Sequence, residues 1–216
     1  MHHFQKELYM YLDTPLQQYL DDLASSQSTP GGGSASALSG AMGAGLASMV
    51  ARLTLGKPDY TEVQQEIESL IQKTEQLRTR FQQLMQEDIE AYGRLSACFK
   101  MPRSTDEERA ARTQAIQARL ADAALVPLQV TECAAELVRC CQRIAEIGNI
   151  NVLSDIATGT MLSSSAGTGA SWMVRTNLLA MKDLEQVNVL SDRLNTALDT
   201  ISTCSQQVIN LVGEKA

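Results

Sequence analysis

The sequence predicts an all-α fold, an antiparallel bundle of about six helices. Three observations lead there. Apolar residues recur at steps of three and four over long stretches, the repeat of one helical face. Between Pro58 and Gly148 a single glycine, Gly93, interrupts the chain. Aromatic residues make up only 4% and no alternating β-branched run occurs, so strands have little to be built from.

Prolines, glycines and capping residues set the element boundaries. A first helix starts at Thr14–Pro15, with Thr14 as N-cap and Pro15 in the first turn, and stops before the polar stretch Ser25–Thr29. A second follows Gly31–Gly33 and runs to about Gly56. Within it, Ala35 to Ala51 carries no charge, but its Ala, Gly and Ser content suits a buried core helix better than a membrane span. A third runs from about Asp59 to Lys100. A fourth begins near Ser104, where Ser104 and Glu107 have capping-box spacing. It bends at Pro127 and ends at Ile147, ahead of Gly148. A fifth covers Ser154 to Met181 and a sixth Leu184 to Val212. Short connections make neighbours antiparallel. Residues 1–216 read as one helical domain, with 1–13 as an N-terminal extension.

Composition excludes several functions. The chain has 216 residues and a net charge of −7, which argues against a general nucleic-acid binder. The only histidines, His2 and His3, lie at the extreme N-terminus, so neither a histidine triad nor a histidine-ligated metal is expected in the core. Five cysteines without a C-x-x-C pair fit neither a disulfide framework nor a zinc knuckle. They read as small buried thiols of a reduced, cytoplasmic protein. The N-terminus lacks the long apolar segment of a secretory signal.

Three places break the pattern. The third helix has an apolar stripe of Val63, Ile67, Leu70, Leu77, Phe81, Leu84, Tyr92, Leu95 and Phe99. Asp88 falls on it, four residues from both Leu84 and Tyr92. A carboxylate on a buried seam calls for an ion pair, an exposed end of the stripe, or a chemical purpose. Thr29-Pro30-Gly31-Gly32-Gly33-Ser34 is a turn into a helix N-terminus, where free amides hold an anion or simply let two helices meet. It lacks the lysine of a phosphate-binding loop. Gly148-Asn149-Ile150-Asn151-Val152-Leu153-Ser154-Asp155 surrounds another helix start, with Asp155 in the first turn as ordinary cap or as functional group. Farther on, Arg175 and Lys182 are seven residues apart on one helical face, and Cys133, Cys140 and Cys141 are also co-facial.

The run PGGGSASALSGAMGAGLASMVARLT, Pro30 to Thr54, resembles the opening signature of the formiminotransferase-cyclodeaminase C-terminal family. Asp88 to Tyr92 with Phe99-Lys100-Met101-Pro102 resembles a second block, and Val126-Pro127-Leu128 a third. Gly148-Asn149-x-Asn151-x-x-Ser154-Asp155 resembles a fourth, and Asn177-Leu178 with Lys182-Asp183 a fifth. The order and spacing hold from about Thr14 to Val212. The chain departs from the family in a Ser/Thr-rich stretch after Asp155 and in Trp172 and Met173.

The resemblance implies a homodimeric all-α bundle acting on a tetrahydrofolate one-carbon unit, without a metal or redox cofactor and without a nucleic-acid or membrane partner. A free-standing module of this kind fits methenyltetrahydrofolate cyclohydrolase, ahead of formimidoyltetrahydrofolate cyclodeaminase. A folate-binding homologue without catalysis, or a purely structural helical partner, are the rival readings. With no histidine in the core, carboxylates must move the protons. The expected catalytic set is Asp88 as acid/base, Asp155 as second carboxylate, and Lys100 to orient Asp88 or hold a glutamate tail. Gly31, Gly32, Gly33, Ser34, Asn149, Asn151, Arg175 and Asn177 are the expected substrate-binding residues.

Overall fold

The computed structural model describes residues 11–215, so His2 and His3 and most of the 1–13 extension lie outside the described residues. The described chain is helical and short-looped. The α-helices are α1 (Leu16–Leu23), α2 (Gly32–Arg52), α3 (Gln64–Phe99), α4 (Asp106–Ile147), α5 (Leu153–Ala180) and α6 (Leu184–Lys215). Short 3₁₀ turns at Tyr11–Asp13, Pro58–Val63 and Ile150–Val152 precede α1, α3 and α5.

Several local expectations shift by one step. Thr14 does not cap α1; its hydroxyl donates to the Tyr11 carbonyl at 3.0 Å. The capping box of α4 is formed by Thr105 and Glu108, one residue beyond Ser104 and Glu107. Thr105 takes it because its extended backbone aims the hydroxyl at the Glu108 amide. α4 runs unbroken through Pro127. On α3, Tyr92 and Phe99 are exposed, while Ile71, Thr74, Met85 and Ala91 join Ile67, Leu77, Phe81, Leu84 and Leu95 inside. Ala91 and Leu95 thus line the buried seam where the two aromatic rings turn outward.

α2 is the central helix, packed on α3, α4 and α5. It is long and apolar enough to cross a membrane by length and composition, yet most of it is buried by those neighbours. Its small residues explain how. A Cβ on Gly40 would overlap the Phe81 ring of α3, and one on Gly43 would lie 2.8 Å from the Gly159 carbonyl of α5. The helices touch backbone to backbone, which calls for glycine at Gly43 and leaves little room at Gly159. α2 and α5 are antiparallel: Gly32 lies by Met173, Ser36 by Gly169 and Gly43 by Gly159. α4 packs on α3, α5 and α6.

The core has two parts. The larger holds Phe81, Leu84, Val138, Ile144, Ile156 and the Ala face of α2. The smaller holds Leu95, Leu120, Leu128, Val174, Leu178 and Leu190. On α3, Asp88 falls between the last residues of the first, Leu84 and Met85, and Leu95 of the second.

Candidate active site

Asp88 reaches from α3 to the N-terminus of α2. α2 starts without a side-chain cap of its own, because its N-cap position is Gly31. The Ser34 main-chain amide, one of the donors left over in a first helical turn, faces the Asp88 carboxylate and favours its ionised form. Gly33 makes the approach possible, since any Cβ there would overlap that carboxylate. The helix end supplies partial positive charge. Burial nevertheless dominates and pushes the Asp88 carboxyl up to about 6, with the Ser34 amide opposing it.

Charge is scarce around this carboxylate. α2 carries no ionisable side chain before Arg52, α4 none between Asp122 and Glu132, and α5 none between Asp155 and Arg175. On α3 itself, Glu87 pairs with Arg80 at 2.6 Å, and Glu90 accepts from Gln86. The structural ion pair that the sequence left open for Asp88 does not form among the described residues.

Two further side chains close the site. Tyr19 of α1 is 2% exposed, and its hydroxyl lies 3.1 Å from the Ser34 hydroxyl. Burial raises the phenol above its ordinary range and the nearby Asp88 charge adds to that. Met173 of α5 brings its sulfur against Gly32. Sequence reasoning missed Tyr19 because the apolar spacing of α1 favours its leucines, yet Leu16 is 61% exposed and Tyr19 turns inward. No periodicity signal separates the two outcomes. Met173 stood out only as a departure from the family.

The remaining candidates do not gather around Asp88. Lys100 is exposed at the C-cap of α3, twelve residues on, about 18 Å along the axis at 1.5 Å per residue. It does not orient Asp88 within one chain. Asp155 opens α5, eighteen residues before Met173, and so lies about 27 Å from the Asp88 end. Asn149 is buried and spent on the fold: its amide donates to the Leu53 carbonyl at 3.0 Å and its oxygen accepts from Asn151. Asn151 is exposed beside it. Arg175 lies over the Trp172 ring, 5.6 Å from its centroid, on the outside of α5. Asn177 bonds the carbonyls of Ala123 and Met173, both at 2.9 Å. Gly31 faces open space save for the Ser28 carbonyl.

Cys133, Cys140 and Cys141 offer no alternative nucleophile. Burial pushes Cys133 and Cys140 up to about 11 and Cys141 to about 12, away from the thiolate that attack requires.

The site and the fold together can be set against known proteins. The family model described as formiminotransferase-cyclodeaminase matches residues 15–196. This chain belongs to that family. It is 39% identical over 168 residues to the methenyltetrahydrofolate cyclohydrolase of Methylorubrum extorquens, covering 78% of this chain and 81% of that protein. It is 32% identical over 172 residues to the formimidoyltransferase-cyclodeaminase of Rattus norvegicus, covering 80% of this chain and 32% of that longer protein. The crystal structure of formiminotetrahydrofolate cyclodeaminase from Thermotoga maritima superposes with a TM-score of 0.85 at 28% identity, covering 94% of this chain and 98% of that one. The family members named here are enzymes, and this chain is a family enzyme built on the same helical fold.

Proposed function

We propose that the protein hydrolyses 5,10-methenyltetrahydrofolate to 10-formyltetrahydrofolate, with Asp88 as its acid/base group. One observation carries this reading. A half-buried carboxylate at a helix N-terminus, with no cation beside it among the described residues, sits in a chain 39% identical to a methenyltetrahydrofolate cyclohydrolase along most of both lengths.

The substrate carries a positive amidinium carbon between N5 and N10. An ionised Asp88 complements that charge in a site where no cation among the described residues competes. It takes a proton from water as the water oxygen bonds to the carbon. The tetrahedral product then loses its bond to N5, and Asp88 returns a proton to that nitrogen. The second water proton leaves to solvent as the formyl group forms on N10. A carboxyl near 6 is mostly ionised at neutral pH and still returns its proton readily. No metal or redox cofactor enters this scheme.

A second reading has its own support, the 0.85 superposition on a cyclodeaminase. There N10 attacks a formimino carbon and ammonia leaves, with Asp88 moving the proton to the departing nitrogen. Purified protein is given each substrate in turn, with loss of the methenyl chromophore and release of ammonia followed separately. Chromophore loss above the buffer rate supports the cyclohydrolase. Ammonia release alone replaces it with the cyclodeaminase, and neither signal removes the enzyme reading of the site.

The working unit is a homodimer. The outward face of α2 and α5 exposes Met42, Met49, Leu53 and Met161, an apolar strip on the helix pair that carries the site. Two copies joined there around a two-fold axis bring the Asp155 end of one against the Asp88 end of the other. That arrangement is the one in which Asp155 and Asn151 serve the same substrate as Asp88. Cytoplasmic folate metabolism is the setting this reading assumes.

A further inference from the structure

α1 is a short helix whose leucines mostly face out, and its one buried residue is a tyrosine. Tyr19 stands edge-on to Tyr11, with ring centroids 5.2 Å apart at 88°. Its hydroxyl meets Ser34, whose side chain is fully buried in the first turn of α2. Its neighbour Gly33 lies against the Asp88 carboxylate, and the Ser34 amide favours the ionised form of that group. A buried hydroxyl pair is retained at a cost unless each partner satisfies the other. Here the pair lies directly behind the turn that receives the carboxylate.

We propose that Tyr19 is a positioning residue for Asp88: it clamps the Ser34 side chain, and so fixes the first turn of α2 whose main chain cradles the carboxylate. This deepens the reading of Asp88 as the acid/base group and rests on it for the kinetic effect alone. The clamp acts on orientation. With the phenol removed, the Ser34 side chain is free to rotate and its turn to loosen. The amide then favours the ionised carboxylate less, and Asp88 holds its proton to higher pH. Among the described residues the titratable groups around Asp88 are few. Tyr19 faces it from α1. Glu87 and Glu90 share its helix and are engaged elsewhere. α2, α4 and α5 present no ionisable side chain over the spans 32–51, 123–131 and 156–174.

The test uses Tyr19→Phe, which keeps the ring and its contact with Tyr11, and Ser34→Ala, which removes the other half of the pair. The carboxyl of Asp88 is titrated by carbon NMR in the free protein, and kcat and KM are measured across pH. In both variants the titration midpoint and the acid limb of kcat move upward. The kcat falls about three- to tenfold while KM stays within about twofold, the pattern of a misaligned acid/base group. The double variant is no worse than either single one. A folded Tyr19→Phe or Ser34→Ala protein whose Asp88 midpoint stays at the wild-type value overturns the proposal, whatever happens to its melting temperature. A moved midpoint in a protein that turns over neither folate leaves the clamp standing and removes the proposed reaction instead.

Discussion

Asn177 on α5 donates its side-chain amide to the Ala123 carbonyl on α4, at 2.9 Å. Ala123 lies four residues before Pro127, so this is the carbonyl that the proline, having no N–H, leaves without its helical partner. An asparagine on the neighbouring helix supplies the missing donor. That is how α4 runs through its proline without a break, and it assigns Asn177 first to the fold.

Replacing Asn177 by Ala therefore removes a half-buried donor and orphans a carbonyl. The expected loss is about 1–3 kcal/mol, read as a drop in denaturation midpoint. In a Pro127→Ala background the helix supplies its own N–H to Ala123, and the same Asn177→Ala change costs clearly less. Equal costs in the two backgrounds would show that the bond does not compensate the proline.

Asp88→Asn separates activity from stability. Asparagine keeps the size of the side chain and an acceptor oxygen at the α2 helix end, so the packing there is retained. The Asp88 carboxyl is raised from 3.8 to about 6 on folding, so the folded state prefers it protonated. Its ionisation costs nothing below the unfolded value and weighs against the fold as pH climbs through about 6. Asp88→Asn is expected to be more stable than wild type at pH 8, by at most about 2–3 kcal/mol. The difference vanishes near pH 3. Turnover is lost at every pH. Thermal melts at the two pH values, with the folate assay, check both parts.

Gly33→Ala places a methyl group where the Asp88 carboxylate lies. The carboxylate must leave the helix end, and turnover falls by at least about a hundredfold, the scale expected when a reacting group is displaced by an ångström. Circular dichroism checks that the bundle persists.

Two other glycines give opposite results from the same substitution. Gly93 is exposed in mid-α3 with nothing near its Cβ position, so Gly93→Ala stabilises by about 0.5–1 kcal/mol through helix propensity. At Gly43 the new methyl meets the Gly159 carbonyl and Ser163, which have nowhere to move. Gly43→Ala costs about 1–3 kcal/mol or more as α2 and α5 are forced apart. Paired chemical denaturation curves read both signs.

Met42→Glu tests the apolar face of α2 and α5. A carboxylate on that strip splits the proposed dimer into monomers by light scattering. It lowers turnover as well, since it parts Asp155 of one copy from Asp88 of the other. A monomeric wild-type protein would remove the two-copy site.

The all-α class, the six helices and their order were legible in the sequence because helical periodicity, proline and glycine act locally. Asp88 was legible too, as a charge on an apolar stripe, and the glycine run marked the family. The partnerships were not. That Gly33 serves Asp88, that Tyr19 turns in while Leu16 turns out, and that Asn177 completes a helix interrupted by Pro127 depend on which helix faces which, and in what register. Residues far apart in the chain meet only through close packing, and a one-dimensional pattern carries no record of that. Periodicity determined what each helix is; the backbone contacts that α2 makes through its glycines decided where each functional group stands.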